Sequence, residues 1–95
     1  MKVFKVLLVK NRGLHSISSF GKRIRYSTKR VNTYPKGSKP YLYSCDTLEV
    51  AKRWQNAFAV NGKKYVIYEA ISINRVNRGS TTVLSRKLKL VKRVK

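Results

Sequence analysis

Apolar residues recur along this chain in two distinct rhythms, one suited to strands and one to a helix. Val3, Phe4, Val6, Leu7, Leu8 and Val9 form a nearly continuous apolar run that stops at Asn11-Arg12-Gly13, a turn signal. This predicts a largely buried strand over residues 2–9. Residues 14–20 scatter Leu14, Ile17 and Phe20 among serines, which suits a second hairpin strand or an irregular segment. After Gly21, the stretch Lys22-Arg23-Ile24-Arg25-Tyr26 alternates apolar and cationic positions, the pattern of a strand with one solvated face. Residues 27–40 carry Asn32, Pro35, Gly37, Ser38 and Pro40 and read as a long basic loop. Residues 41–45 form a short strand that runs straight into Asp46-Thr47-Leu48-Glu49. There Asp46 suits a helix N-cap and Glu49, three residues on, completes a capping box.

Leu48, Ala51, Trp54 and Phe58 then fall on one helical face, and Asn61-Gly62 supplies a left-handed stop. From Tyr65 to Ile73 the period returns to two. Tyr65, Ile67, Glu69, Ile71 and Ile73 share one face, and Val66, Tyr68, Ala70 and Ser72 share the other. A turn is expected at Asn77-Arg78-Gly79-Ser80, with extended character resuming over residues 81–84. Residues 85–95 mix Leu88, Leu90, Val91 and Val94 with six cations, as a cationic edge strand or as a tail that orders on a partner. Together these elements predict an α+β fold in one domain spanning residues 1–95. An antiparallel sheet of about four to six strands is covered by one helix over residues 47–60.

Charge changes the picture more than any motif. The 95 residues include 23 Lys and Arg against three acidic residues, a formal net charge of +20, while 42% are hydrophobic. The apolar share is enough to fold a small domain. The uncompensated charge destabilises the compact state by self-repulsion unless a polyanion neutralises it. Binding a nucleic acid reverses the sign of that term and releases condensed counterions. A membrane surface is the weaker candidate polyanion, because no long amphipathic basic helix is present. The single Cys45 excludes an internal disulfide and a cysteine-based zinc site. No apolar run reaches transmembrane length, and Lys2 and Lys5 interrupt the N-terminal run, so a cytoplasmic protein is expected.

Two cationic stretches are the candidate binding residues. The first contains Lys22, Arg23, Arg25, Lys29, Arg30, Lys36 and Lys39, interleaved with Tyr26, Tyr34 and Tyr41. Cations contact phosphates and tyrosine rings stack on unpaired bases, a combination suited to single-stranded or irregular RNA. Tyr34, beside Pro35, is the best candidate for an exposed ring, with Tyr26 next. Tyr41 and Tyr43 equally suit strand positions packed on the helix. The second stretch contains Arg75 and Arg78, expected in the turn, followed by Arg86, Lys87, Lys89, Lys92 and Arg93. Part of this pattern would also guard an edge strand against aggregation.

Catalytic chemistry has little to work with. No phosphate-binding glycine loop, nucleophile elbow or metal-ligand spacing is present, and no cofactor is expected. Asp46 and Glu49 are accounted for by the helix cap. Glu69 fits a salt bridge with an arginine that holds the sheet together, or, with His15 as acid, the general base of a metal-independent ribonuclease toxin.

One resemblance adds to this reading. Lys5-Val6, Tyr26, the short strand at 41–45, the helix Asp46-Thr47-Leu48-Glu49-Val50-Ala51-Lys52-Arg53-Trp54 and the pair Tyr68-Glu69 follow one another in a familiar order. The arrangement resembles a group of small bacteriophage and mobile-element proteins with no agreed activity, over about two thirds of the chain. The extreme charge and the basic C-terminal segment depart from that pattern. The resemblance implies a phage protein acting in the host cytoplasm on host or phage nucleic-acid machinery. The expected function is thus non-catalytic binding of nucleic acid, RNA ahead of DNA, or of a nucleoprotein complex. Inhibition of a defence complex, as by an anti-CRISPR protein, would use the same cationic face. A ribosomal or other ribonucleoprotein subunit is the main alternative, and an acidic protein surface is the alternative ligand.

Overall fold

The computed structural model describes residues 2–16, 24–33, 42–78 and 81–94, with backbone alone at 61 and 74–78. Among the described residues, seven antiparallel strands and one α-helix make up an α+β fold. The strands are β1 (Lys2–Lys10), β2 (Gly13–His15), β3 (Arg25–Tyr26), β4 (Asn32–Thr33), β5 (Leu42–Cys45), β6 (Lys64–Arg78) and β7 (Thr82–Val94), and the helix is α1 (Leu48–Phe58). Seven strands exceed the four to six expected: β3 falls within the strand expected over residues 22–26, while β4 is a two-residue piece inside the stretch read as a loop and β2 is three residues of an ambiguous segment, both too short to carry a periodic signal.

The sheet closes on itself. β6 pairs with β1 on one edge and β7 on the other. β5 joins the far edges of β1 and β7, through Phe4↔Cys45 and through the register Leu42↔Ser85 to Cys45↔Thr82. This barrel explains why β1 reads as a continuous apolar run. Val3 and Leu7 face the interior with Leu42, Val66, Ala70, Val83, Leu88 and Leu90. Val6 and Leu8 face outward under α1, with Cys45, Ala51, Tyr65 and Ile67. Both faces of β1 are therefore removed from water. Leu7 is fully buried, and truncating such a side chain to Ala costs about 2–5 kcal/mol.

Helix α1 forms where its spacing predicts, with Ala51 buried and Leu48, Trp54 and Phe58 against the barrel. Its cap differs from the expectation. Thr47 is the N-cap, its hydroxyl accepting from the Val50 amide at 3.3 Å, and Glu49 instead pairs with Arg53 at 2.7 Å, one turn on. The short Thr47 side chain reaches the third amide from its own position, which moves the boundary one residue past Asp46. A 3₁₀ turn (Ala59–Asn61) ends at Gly62, whose φ of 80° supplies the expected left-handed stop.

Three other segments depart from the sequence reading. Asn32 and Thr33, within the stretch read as a loop, pair with Leu88 and Lys87 of β7. β6 runs through to Arg78, so Arg75 and Arg78 lie in a strand opposite Ser85 and Val83 rather than in a turn. β7 is one strand from Thr82 to Val94, with register shifts against β6 at Glu69/Ala70 and Arg75/Asn77 that let the long hairpin curve around the barrel.

Candidate nucleic-acid interface

The barrel is closed where β5 bridges β1 and β7, and among the described residues nothing pairs β3 with β4. Beyond β5, the far edge of β1 carries β2 and then β3, while the far edge of β7 carries β4. The sheet order ends at β3 and β4 without pairing them, and residues 27–31 cross the opening between. A groove of about 880 Å³ lies there. Its exposed lining includes Arg12, Arg25, Lys29 and Arg30, and its buried or half-buried lining includes Val9, Leu14, Tyr26 and Tyr68.

Each wall is built by an identifiable local device. A two-residue turn joins β1 to β2 between the paired Lys10 and Gly13. Asn11 and Arg12 have φ values of 51° and 61°, the positive pair that a type I′ hairpin requires. Gly13 itself is not left-handed; it is the first residue of β2. A Cβ there would stand 2.9 Å from Arg25 Nε and 3.3 Å from Cζ, so the missing side chain is the space across which the Arg25 guanidinium lies. Ser16 extends the β2–β3 pairing, its amide donating to the Ile24 carbonyl and its hydroxyl accepting from the Ile24 amide, both at 2.8 Å.

The opposite wall is organised by Asn32. Its buried side chain accepts from the Ser27 amide at 2.7 Å and donates to the Ser27 and Leu88 carbonyls at 3.0 and 3.2 Å. The Lys29 amide donates to Ser27 Oγ at 3.1 Å. These bonds hold a short bend in one shape, with Thr28, Lys29, Arg30 and Val31 exposed upon it.

Of the sequence-predicted residues, Arg25, Lys29 and Arg30 meet at this groove. Lys22, Arg23, Tyr34, Lys36 and Lys39 lie outside the described residues, as does Tyr41. Arg86, Lys87, Lys89, Lys92 and Arg93 are exposed on β7, but they divide between the two faces of the sheet. Lys89 pairs with Ile71 and Lys92 with Glu69, on the outward face that also carries Lys2 and Phe4. Arg93 is the cross-strand neighbour of Tyr68, on the other face, and does not itself line the groove. One continuous cationic face is therefore resolved into a groove and a separate outer patch around Ile71.

The aromatic assignments change as well. Tyr26 is 5% exposed and has Lys5 Nζ 5.3 Å from its ring centroid, so its ring is structural rather than an open stacking surface. Tyr68 is the half-buried ring of the groove, and Tyr43 is 52% exposed rather than packed on the helix. Arg12 was hidden in the sequence as an ordinary turn residue. Its signal was the sequence order Asn-Arg-Gly, in which glycine comes one position too late to serve the turn.

The acidic residues have local occupations. Glu69 pairs with Lys2 Nζ at 2.9 Å rather than with an arginine, because Lys2 is the diagonal neighbour of Glu69 across β1 and β6, and Glu49 pairs with Arg53. His15 Nε2 sits 3.1 Å from the Lys10 carbonyl. Glu69 is in register with Phe4 and His15 with Leu8, on opposite edges of β1. Those positions are separated by about 13 Å along the strand, too far for an acid and a base to share one scissile bond. Among the described residues, no group of three metal-ligating side chains converges, and no helix is long and apolar enough to cross a membrane. Comparison with protein-family models, with curated proteins and with solved structures gives no match to this chain.

Proposed function

We propose that this is a non-catalytic, phage-encoded protein that binds nucleic acid, RNA ahead of DNA, or the exposed nucleic acid of a nucleoprotein complex. The observation that carries the reading is the groove itself: Arg12, Arg25, Lys29 and Arg30 line it together with Val9, Leu14, Tyr26 and Tyr68. The chain has only three acidic residues to set against 23 cations, and two of those three are paired with Lys2 and Arg53. An external polyanion is the natural source of the missing negative charge. The separation of His15 from Glu69 and their local bonds favour binding over RNA cleavage.

The outer patch of Lys2, Lys89 and Lys92 gives the same molecule a second phosphate-contacting surface, useful for occupying a nucleoprotein enzyme whose nucleic acid is already bound. Reversing charge at Arg25, Lys29 and Arg30 together is the direct test. The triple variant is expected to stay folded, because all three side chains are exposed. It should reduce the salt dependence of RNA binding by about two to three charge equivalents. Unchanged affinity and salt dependence would remove the groove from the interface. Pull-down from cells with and without nuclease separates the two targets, since partners that survive nuclease are protein surfaces.

A further inference from the structure

Resting on the nucleic-acid reading, we infer that the groove takes a single strand, and that Arg12 is a phosphate contact held in the left-handed region at a cost in stability. Two independent observations converge on this. The first is shape: the four cations border a concavity of about 880 Å³ whose buried and half-buried lining includes Val9, Leu14, Tyr26, Asn32 and Tyr68. A duplex presents phosphates on its convex outside and keeps its bases stacked, so it reaches the cations and leaves that lining uncovered. A single strand can lay its backbone along the cations and turn a base toward Tyr68, the combination by which unpaired nucleic acid is held.

The second observation is the backbone of Arg12. At the second position of a two-residue hairpin turn, φ of 61° suits glycine, and an L side chain with a Cβ is disfavoured there. Asn11 before it tolerates the same region through its short polar side chain. Arg12 has no such excuse, and a glycine follows directly at Gly13, where it clears space for the Arg25 guanidinium. The turn thus places two arginines at the groove by means that a merely stable hairpin would not use. Strain of this kind is concentrated where a side chain is needed for contact.

The test is Arg12→Gly, read by thermal unfolding and by fluorescence polarisation with a labelled twelve-nucleotide oligouridylate, alongside an RNA duplex of twelve base pairs. The variant is expected to melt several degrees higher. Its affinity for the single strand should fall about fivefold or more, with the logarithmic salt slope reduced by about 0.7. Arg12→Lys should recover most of that slope, and Lys89→Gln, on the outer face, should disturb single-strand binding less than Arg12→Gly. If the oligouridylate binds wild type and Arg12→Gly alike, or if the duplex binds as tightly as the single strand, the inference is wrong while the nucleic-acid reading stands. If wild type binds neither at low salt, both fall together.

Discussion

Lys5 sends its ammonium into the barrel, 5.3 Å from the centroid of the Tyr26 ring, and donates a hydrogen bond to the Tyr43 carbonyl. A single buried cation thereby links β1 to β3, which it does not pair, and to β5, which it pairs at only one position. Lysine inside a core is expensive to solvate poorly, and burial lowers the Lys5 pKa to about 8, partly offset by neighbouring Cys45.

The sign of the resulting pH dependence follows from that depression. Below pH 8 the folded and unfolded chains both carry the charge, and the full burial penalty is present. Between 8 and 10.5 the folded chain loses the proton first, so stability rises with pH, by at most about 1.4 kcal/mol per unit. Cys45 acts oppositely above about 9, since its folded pKa is raised to about 11 and ionisation there favours unfolding. Denaturant midpoints should therefore climb from pH 7 to 9. Lys5→Met should abolish that climb and be neutral to stabilising by about 1–3 kcal/mol at pH 7. A slope that persists in Lys5→Met would assign the effect to other groups.

Cys45 is fully buried, and burial is the leading cause of its raised pKa. A thiol without thiolate character or access is a poor nucleophile. Iodoacetamide at pH 8 should leave it unmodified in the native protein and alkylate it promptly in denaturant. Rapid native-state labelling would contradict the packing of β5 against α1.

Asn32→Ala removes four hydrogen bonds, three of them to the bend over residues 27–31 and one to Leu88, leaving the Ser27 amide without its acceptor. The expected cost is about 2–3 kcal/mol. Amide exchange at Ser27 and Lys29 should accelerate, and RNA affinity should fall even though no cation has been removed. Exchange rates matching wild type would mean that Asn32 does not organise this wall.

Gly13→Ala should act on binding through Arg25. The new Cβ would meet Nε at 2.9 Å, so the guanidinium must leave its place over the strand. The effects of Gly13→Ala and Arg25→Ala on RNA affinity are expected to be strongly non-additive in a double-mutant cycle, because both remove the same positioned group. Additive losses would separate Gly13 from Arg25.

Much of this fold is legible in the chain, and the illegible parts share a cause. β1, β5, the helix and the alternation along β6 announce themselves because each has a local period that matches its buried face. β3 lies within the strand that the alternation over residues 22–26 predicts, whereas β2 and β4 are not fixed by pattern, since strands of two or three residues exist only by pairing with an edge supplied from elsewhere. The same limit governs the interface. Arg25, Lys29 and Arg30 are visible as cations in a basic stretch, whereas Arg12 gains meaning only when the hairpin turn is brought beside β3. Tyr26 looks like a stacking ring until Lys5 is found over it.

The sequence by itself determined a small α+β protein with a capped helix, long alternating strands and far more positive charge than it can neutralise internally, since composition and periodicity are properties of the chain alone. Only the tertiary structure decided that the sheet closes into a barrel through β5 and that, among the described residues, β3 and β4 end it unpaired. It also divided the cations between a groove and an outer patch, and sent Lys5 inward. Those outcomes depend on which strand edges meet across dozens of residues, and no local pattern encodes a partner at that distance.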